Sequence, residues 1–402
     1  MSATISPMPG DLYYGDNLDV MRRHVATESV DLVYLDPPFN SDRTYNLIYK
    51  GSQAQAQAFV DTWTWDDNAE AAFRELTDRT PQGVHVPTPL REMMLALKLF
   101  LAEHKDMLAY LSMMAIRLVE MRRVLRKTGS IYLHCDPTAS HYLKLIMDAI
   151  FGPENCRREI IWRSGWVSGF KTKTSNWVRN HDTILYYLRD HRETFTFNKD
   201  LAYKPHGDGY KRRGGGENPK GVALDDVWDE VALYSPWIKS FSTEKLGYMT
   251  QKPLALLERI VSVSSNAHDL VLDPFCGCGT TIEAAEKLGR RWIGIDVAIR
   301  AVEVIKDRLD QSFDRRVWTE HGEPADVDQA AHLAGTNAYD FQWWAVRLLG
   351  GHPPRGEKKK GGDGGVDGEL TLTDRSAARR RGIVSVKGGR NLTGDVPPRV
   401  ES

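Results

Sequence analysis

The stretch "VLDPFCGCGTTIEAAEKLGRRWIGIDV", residues 271–297, carries a strand, a glycine turn, a helix and a second strand in unbroken succession. Its strand segments, "DLVLDPF" (269–275) and "RRWIGIDV" (290–297), are nearly continuous apolar runs, as a sheet covered by helices on both faces requires. Between them, Gly277 and Gly279 precede a helix that opens at Thr280 and Thr281. Such a start leaves free backbone N–H groups and the positive end of the helix beside any ligand. A dinucleotide fingerprint requires a third glycine in a GxGxxG spacing, and Thr280 to Glu283 supply none. The turn therefore suits a ligand whose anion is a carboxylate rather than a pyrophosphate. Asp296 ends the second strand about twenty residues on, where an acid characteristically accepts hydrogen bonds from ribose hydroxyls. Together these features describe a nucleoside carrying an amino-acid tail.

A second strand end stands in "DLVYLDPPFN" (31–40). Leu32 to Leu35 read as a short buried strand, and two consecutive prolines cannot donate ladder hydrogen bonds, so the strand stops at Asp36. In open α/β sheets that edge is where ligands bind. Upstream, "DLYYGDN" (11–17) reads as another strand, followed by the helix "LDVMRRHV". Apolar residues at helical spacing run from Pro89 to Leu125, and Gly129 is expected to stop that zone before the strand "SIYLHCD". A further helix is expected from Ile299 to Gln311. This alternation predicts a doubly wound, Rossmann-like α/β sheet.

Between 151 and 250 the pattern is irregular. Arg157, Arg158, Trp162, Arg163, Trp166, Phe170, Lys171, Lys173, Trp177 and Arg179 interleave bases with aromatics, ahead of the glycine-rich "KRRGGG" (211–216). Such a mixture suits phosphate contacts together with base stacking, and equally a solvated surface over a small aromatic core. The expected organisation is a main domain over 1–318 containing this recognition insertion, a linker over 319–336, and a small α/β appendage over 337–402.

Composition restricts the possibilities without choosing among them. The chain has 402 residues, 41% hydrophobic and 27% charged, and no apolar run approaches the roughly 20 residues of a membrane helix. "MSATISPMPG" has neither a basic start nor an apolar core, so a cytoplasmic location is expected. The formal net charge of -1, from 53 basic and 54 acidic residues, gives no overall attraction to nucleic acid. The four cysteines, Cys135, Cys156, Cys276 and Cys278, match no zinc spacing, and no metal site is expected.

"DPFCGCGT" (273–280) resembles the FxGxG motif, and "DPPF" (36–39) the Asp/Asn/Ser-Pro-Pro-aromatic motif, of S-adenosylmethionine-dependent DNA amino-methyltransferases. "QKPLALLERI" (251–260) resembles that family's cofactor-pocket segment, and "YYGDN" (13–17) the strand whose acid approaches the cofactor adenine. Catalytic motif first and cofactor motif last is the circularly permuted order of the β group. The resemblance implies catalytic roles for Asp36, Pro37, Pro38 and Phe39. It implies cofactor contacts from Asp16, Asp36, Lys252, Asp273, Phe275, Cys276, Gly277, Gly279, Thr280, Thr281 and Asp296. An exocyclic base amine is a poor nucleophile, so an acceptor must engage its N–H as it attacks the sulfonium methyl. Asp36 and the Pro37 carbonyl would be those acceptors, with Phe39 stacked on a base extruded from the duplex. An aspartate here implies methylation of adenine N6 in double-stranded DNA within a restriction-modification system. Cytosine N4 methylation and a non-catalytic recognition module are the alternatives. A homodimer and a cognate restriction endonuclease are admissible partners.

The tail segments "GGDGGVDGELTL" (361–372) and "GIVSVKGG" (382–389) resemble the core of Mrr-like PD-(D/E)xK nucleases, with Asp367 and Lys387 in the acid and lysine positions. Ser385 departs from the family's Glu or Gln, and only fifteen residues follow Lys387. An incomplete nuclease-like appendage is expected, with a bifunctional methyltransferase/nuclease as an alternative.

Overall fold

The computed structural model describes residues 9–39, 43–48, 55–61, 63–78, 85–167, 175–205, 219–235, 244, 250–324, 326–351, 367–373 and 379–386. Its strands are β1 (Gly10–Tyr14), β2 (Val30–Leu35), β3 (Arg43–Ile48), β4 (Gln55–Asp61), β5 (Leu125–Cys135), β6 (Cys156–Arg163), β7 (His181–Leu188), β8 (Tyr203–Lys204), β9 (Val222–Ala223), β10 (Val227–Trp228), β11 (Leu270–Asp273), β12 (Arg291–Asp296), β13 (Trp318–His321), β14 (Gly368–Thr373) and β15 (Arg379–Val384). Its helices are α1 (Asn17–His24), α2 (Asp67–Thr77), α3 (Thr88–Phe100), α4 (Lys105–Val124), α5 (Ser140–Phe151), α6 (Leu254–Ser264), α7 (Thr280–Lys287), α8 (Ile299–Ser312), α9 (Val327–Thr336) and α10 (Ala338–Leu348). No helix among them is long and apolar enough to cross a membrane.

Nine strands form one sheet in the order β10-β6-β7-β5-β2-β11-β12-β1-β13. From β13 across to β5 all neighbours are parallel, and β7 alone runs against its neighbours. The apolar runs now have their reason. Val33 and Leu35 of β2 enter a core beneath α1 to α5, while Leu32 and Tyr34 enter the opposite core beneath α6 to α8. The chain leaves β11 through α7 toward β12 on one side and leaves β2 toward β5 on the other. Adjacent parallel strands whose exits diverge open a crevice at their carboxyl ends, and this is where a doubly wound sheet binds ligands.

Three sequence expectations need correction. Gly129 does not end the long helical zone: α3 stops at Phe100, α4 at Val124, and Gly129 lies inside β5. There the β2–β5 register jumps from Val30↔Leu125 to Leu32↔Ser130, and a Cβ at Gly129 would lie 2.9 Å from the Asp31 carbonyl oxygen. The glycine admits a bulge. Residues 319–336 are not a linker, because β13 extends the sheet by pairing with the free edge of β1, and Asp326 caps α9 by accepting from Gln329 N at 2.8 Å. Nor is 151–250 wholly an insertion. Its strands β6 and β7 complete the main sheet, and Trp162 is core, buried and donating its indole N–H to Leu233 O at 2.9 Å.

Glu120 is the charged residue on which the helical layer turns. It is fully buried in α4 and accepts from Arg22 Nε at 3.1 Å and Arg123 Nε at 2.6 Å, joining α1 to α4. Glu120→Ala leaves both guanidiniums without their buried acceptor and is expected to lower stability by at least about 2 kcal/mol in urea titration. A loss under about 0.5 kcal/mol, the scale of an ordinary surface change, would show that the cluster is not a structural tie.

Candidate active site

The crevice between β2 and β11 contains the sequence-selected residues. Asp36 leaves β2 half-buried, and the ammonium of Lys252, itself buried, binds its Oδ2. The second oxygen, Oδ1, is buried and has no hydrogen-bond partner among the described residues. Lys252 Nζ also lies 5.4 Å from the centre of the Phe39 ring. One cation thus fixes both the acid and the aromatic of the "DPPF" turn, by charge and by attraction to the ring face. Thr280 Oγ1 in turn donates to the Lys252 carbonyl at 3.3 Å, which connects this segment to the glycine turn.

Beyond Phe39 lies a polar chain that sequence reasoning read only in part. The His134 ring stacks 6.1 Å from Phe39 and is fully buried. Its Nδ1 pairs with the Tyr34 hydroxyl at 3.1 Å and its Nε2 with Asp182 Oδ2 at 3.4 Å. Burial opposes ionisation of Asp182, but the His134 hydrogen bond and charge, with Lys252 and Arg179, hold its carboxyl well below the usual range. Arg179 bridges Asp182 and Asp136, so the start of β7 is fastened to the end of β5. The bonds of His134 and Asp136 support the wall behind the turn. Tyr34 and Asp182 gave no sequence signal, since each looks like an ordinary strand residue.

On the β11 side, Gly277 and Gly279 both take positive φ, 52° and 75°. A Cβ at Gly279 would also press to 2.8 Å from Ile305 Cγ1, so this position needs glycine twice over. No side chain caps α7, which leaves its first amides for solvent or ligand. Asp296 Oδ2 accepts from Gly277 N at 2.8 Å and Oδ1 from Ala298 N at 2.9 Å, shaping the turn from the next strand. Burial raises the Asp296 carboxyl to about 6 against these bonds. Burial likewise raises Asp273 to about 7, with Asp36 and Asp296 adding repulsion, although Phe275 N donates to it at 3.1 Å. Cys276 and Cys278 are buried with their thiols pushed up, which makes them small packing residues rather than nucleophiles.

Asp16 caps α1 by accepting from Leu18 N at 2.8 Å and pairs with Arg117 of α4. Its neighbour Asn17 donates to Pro274 O at 2.6 Å, which draws the β1–α1 loop against the glycine turn. Asp16, Asp36 to Phe39, Lys252, Asp273, Phe275 to Gly277, Thr280, Thr281 and Asp296 line one cavity of about 830 Å³. Gly279 lies beneath the turn and does not face it. Trp63, Met113 and Arg117 are among the other lining residues and were not foreseen. Arg117, the one charged residue between Met107 and Val119 of a mostly buried helix, was the available signal.

Elsewhere, Arg163 lies over Tyr234, Trp166 meets the same ring edge-on at 5.0 Å, and Trp177 is 96% exposed. Phe170, Lys171, Lys173 and residues 211–216 lie outside the described residues, as does Lys387. Asp367 accepts from Gln342 Nε2 and from Val386 N, both at 2.6 Å, so its oxygens close the β14–β15 hairpin onto α10. Among the described residues, one acidic trio, Glu303, Glu320 and Glu323, is close enough to grip a metal ion. The Lys306 ammonium already sits among them at 2.9, 2.7 and 3.3 Å.

The family model described as DNA methylase matches residues 30–307 of this chain. Type II methyltransferase M.BamHI of Bacillus amyloliquefaciens is 28% identical over 310 residues, covering 75% of this chain and 57% of that protein. M.HpaI of Haemophilus parainfluenzae is 32% identical over 200 residues, 49% of this chain and 58% of the relative. DNA adenine methyltransferase YhdJ of Escherichia coli (strain K12) is 26% identical over 306 residues, 74% and 82% respectively. The matched part of the chain thus spans little more than half the length of the first two relatives. With the matched range running from β2 through most of α8 and so enclosing both sides of the crevice, the chain belongs to the DNA methylase family.

Proposed function

We propose that the protein is a site-specific DNA methyltransferase that moves a methyl group from S-adenosylmethionine to adenine N6 in double-stranded DNA. The observation that carries this reading is the buried Oδ1 of Asp36, without a partner among the described residues, in the crevice where the two strands diverge. A buried carboxylate oxygen without a donor costs free energy unless a ligand supplies one. An exocyclic amine supplies such a donor. Lys252 holds Oδ2, and Phe39, beside Lys252 and His134 on the lining of the same cavity, is the aromatic side chain suited to stacking on a flipped base.

The cofactor's fit rests on the other half of the cleft. Uncapped amides at the start of α7 suit its carboxylate, and Asp296 retains lone pairs for ribose hydroxyls beyond the two amides it accepts. A cavity of about 830 Å³ has room for both the cofactor and an extruded base. When bound, S-adenosylmethionine supplies a methyl group on a cationic sulfonium. Asp36 accepts hydrogen bonds from the target amine and so raises the electron density on its nitrogen during attack, and burial keeps water from competing. The place of the β1 segment ahead of the glycine motif supports the permuted order of the β group.

The aspartate of "DPPF" and the likeness to an adenine methyltransferase support adenine over cytosine. The same acceptors also engage a cytosine N4 amine, which is the second reading. Relatives named type II methyltransferases support work in a restriction-modification system.

Asp36→Ala is expected to lower kcat at least about 100-fold while cofactor affinity changes by less than about threefold, measured by labelled methyl transfer and calorimetry. Turnover like the wild type would remove Asp36 from the chemistry. Asp296→Ala is expected to act oppositely, weakening cofactor binding about tenfold with a smaller effect on turnover of the saturated enzyme. A loss confined to kcat would contradict that role.

Asp273 adds a pH dependence. Its folded-state value of about 7 lies above the ordinary 3.8, so the unfolded chain ionises it first. The contribution of Asp273 to folding stability therefore declines as pH rises from about 4 to about 7 and levels off above that. Asp273→Asn removes this decline, and its melting temperature relative to the wild type should be higher at pH 8 than at pH 5. A difference independent of pH would show that Asp273 is ionised in the folded protein.

A further inference from the structure

We infer that α9 and α10, which follow the part of the chain matched by the family, form a clamp that positions the cofactor end of the cleft through Tyr14 and Arg300. This inference rests on reading the cleft as the S-adenosylmethionine pocket.

Two loops frame that end, the β1–α1 loop with Gly15 to Asn17 and the β12–α8 loop with Asp296 to Ala298. They are already joined. Tyr14 lies opposite Asp296 in the sheet register, Gly15 N donates to Asp296 O at 2.9 Å, and Asn17 reaches Pro274 O. The clamp grips both loops from outside. The Tyr14 hydroxyl donates to Asp340 Oδ2 at 3.1 Å, a bond between residues 326 positions apart. Asn337 Nδ2 donates to the same oxygen at 2.8 Å, so the acid is fixed before it receives the tyrosine. Asp340 is only 8% exposed, and the whole arrangement is packed rather than solvated.

The second grip falls on the start of α8. Arg300, two residues beyond the pocket-lining Ala298 and 5% exposed, places its guanidinium 3.8 Å from the centre of the Trp343 ring. Arg347 pairs with Glu303 one turn further along α8. A buried guanidinium stacked on a tryptophan is costly to leave without its partner, so α10 and the start of α8 are expected to move together. Through Asp340, Trp343 and Arg347 the helical pair is fastened to β1 and to α8. Neither Tyr14 nor Trp343 lines the cavity, so each acts through the loops and is a positioning residue.

The test uses the full chain with Tyr14→Phe, Trp343→Ala and Trp343→Phe. Calorimetry with S-adenosylmethionine is expected to show about fivefold weaker binding for Tyr14→Phe, the effect of one partly buried hydrogen bond, and at least as much for Trp343→Ala. The cofactor KM should rise in parallel while kcat and the DNA KM stay within twofold of the wild type, and Trp343→Phe should recover most of the affinity. Wild-type binding with unchanged affinity in Tyr14→Phe and Trp343→Ala overturns the clamp alone. Equal losses in kcat and both KM values with a lowered melting temperature also overturn it, because they mark general unfolding. A wild-type chain that binds no S-adenosylmethionine overturns the functional reading and the clamp with it.

Discussion

A buried ammonium bound to a single carboxylate oxygen holds the two halves of this site together. Lys252 comes from the segment before α6 and Asp36 from the end of β2, 216 residues earlier in the chain. Through its carbonyl Lys252 is tied to Thr280, through its charge to Asp36, and through the ring face to Phe39. An isolated buried charge on either side would be costly, and pairing removes most of that cost only when the geometry is fixed. The proline turn therefore cannot move independently of the glycine turn. Among the described residues, one oxygen of Asp36 is left without a hydrogen-bond partner.

The rest of the fold supports that pair by keeping β2 and β11 adjacent and parallel. Their apolar runs are buried on both faces, and the connections that leave them in opposite directions keep the crevice open. Behind the turn, Tyr34, His134, Asp182 and Arg179 form a fully partnered polar chain that stiffens the wall on which Phe39 rests. On the far side, Asp340 and Trp343 extend the support outward from the sheet edge.

Much of the site was legible because its constraints are local. Two prolines must end a strand, and glycines at positive φ before an uncapped helix must make an anion-ready turn, whatever the remaining chain does. The α7 and α8 spans were legible for the same reason. What could not be read depends on which distant segments meet. Gly129 looks like a helix stop in sequence, and its role in the β2–β5 bulge appears only when Asp31 lies across from it. The residues after Val317 look polar enough for a linker, but the open edge of β1 recruits them as a strand. Trp162 was open to two readings, a nucleic-acid surface or a small aromatic core, and is core, whereas Trp177, fifteen residues on, is almost wholly exposed. Aromatic identity alone cannot distinguish those two fates.

The most direct measurement of the central claim is the identity of the base that receives the methyl group. Duplex DNA from a methylation-free host, incubated with the full chain and methyl-labelled S-adenosylmethionine, is hydrolysed to nucleosides and separated. The account predicts label in N6-methyladenine. Label in N4-methylcytosine would contradict the adenine assignment, and DNA that is bound but carries no label would contradict the enzyme itself.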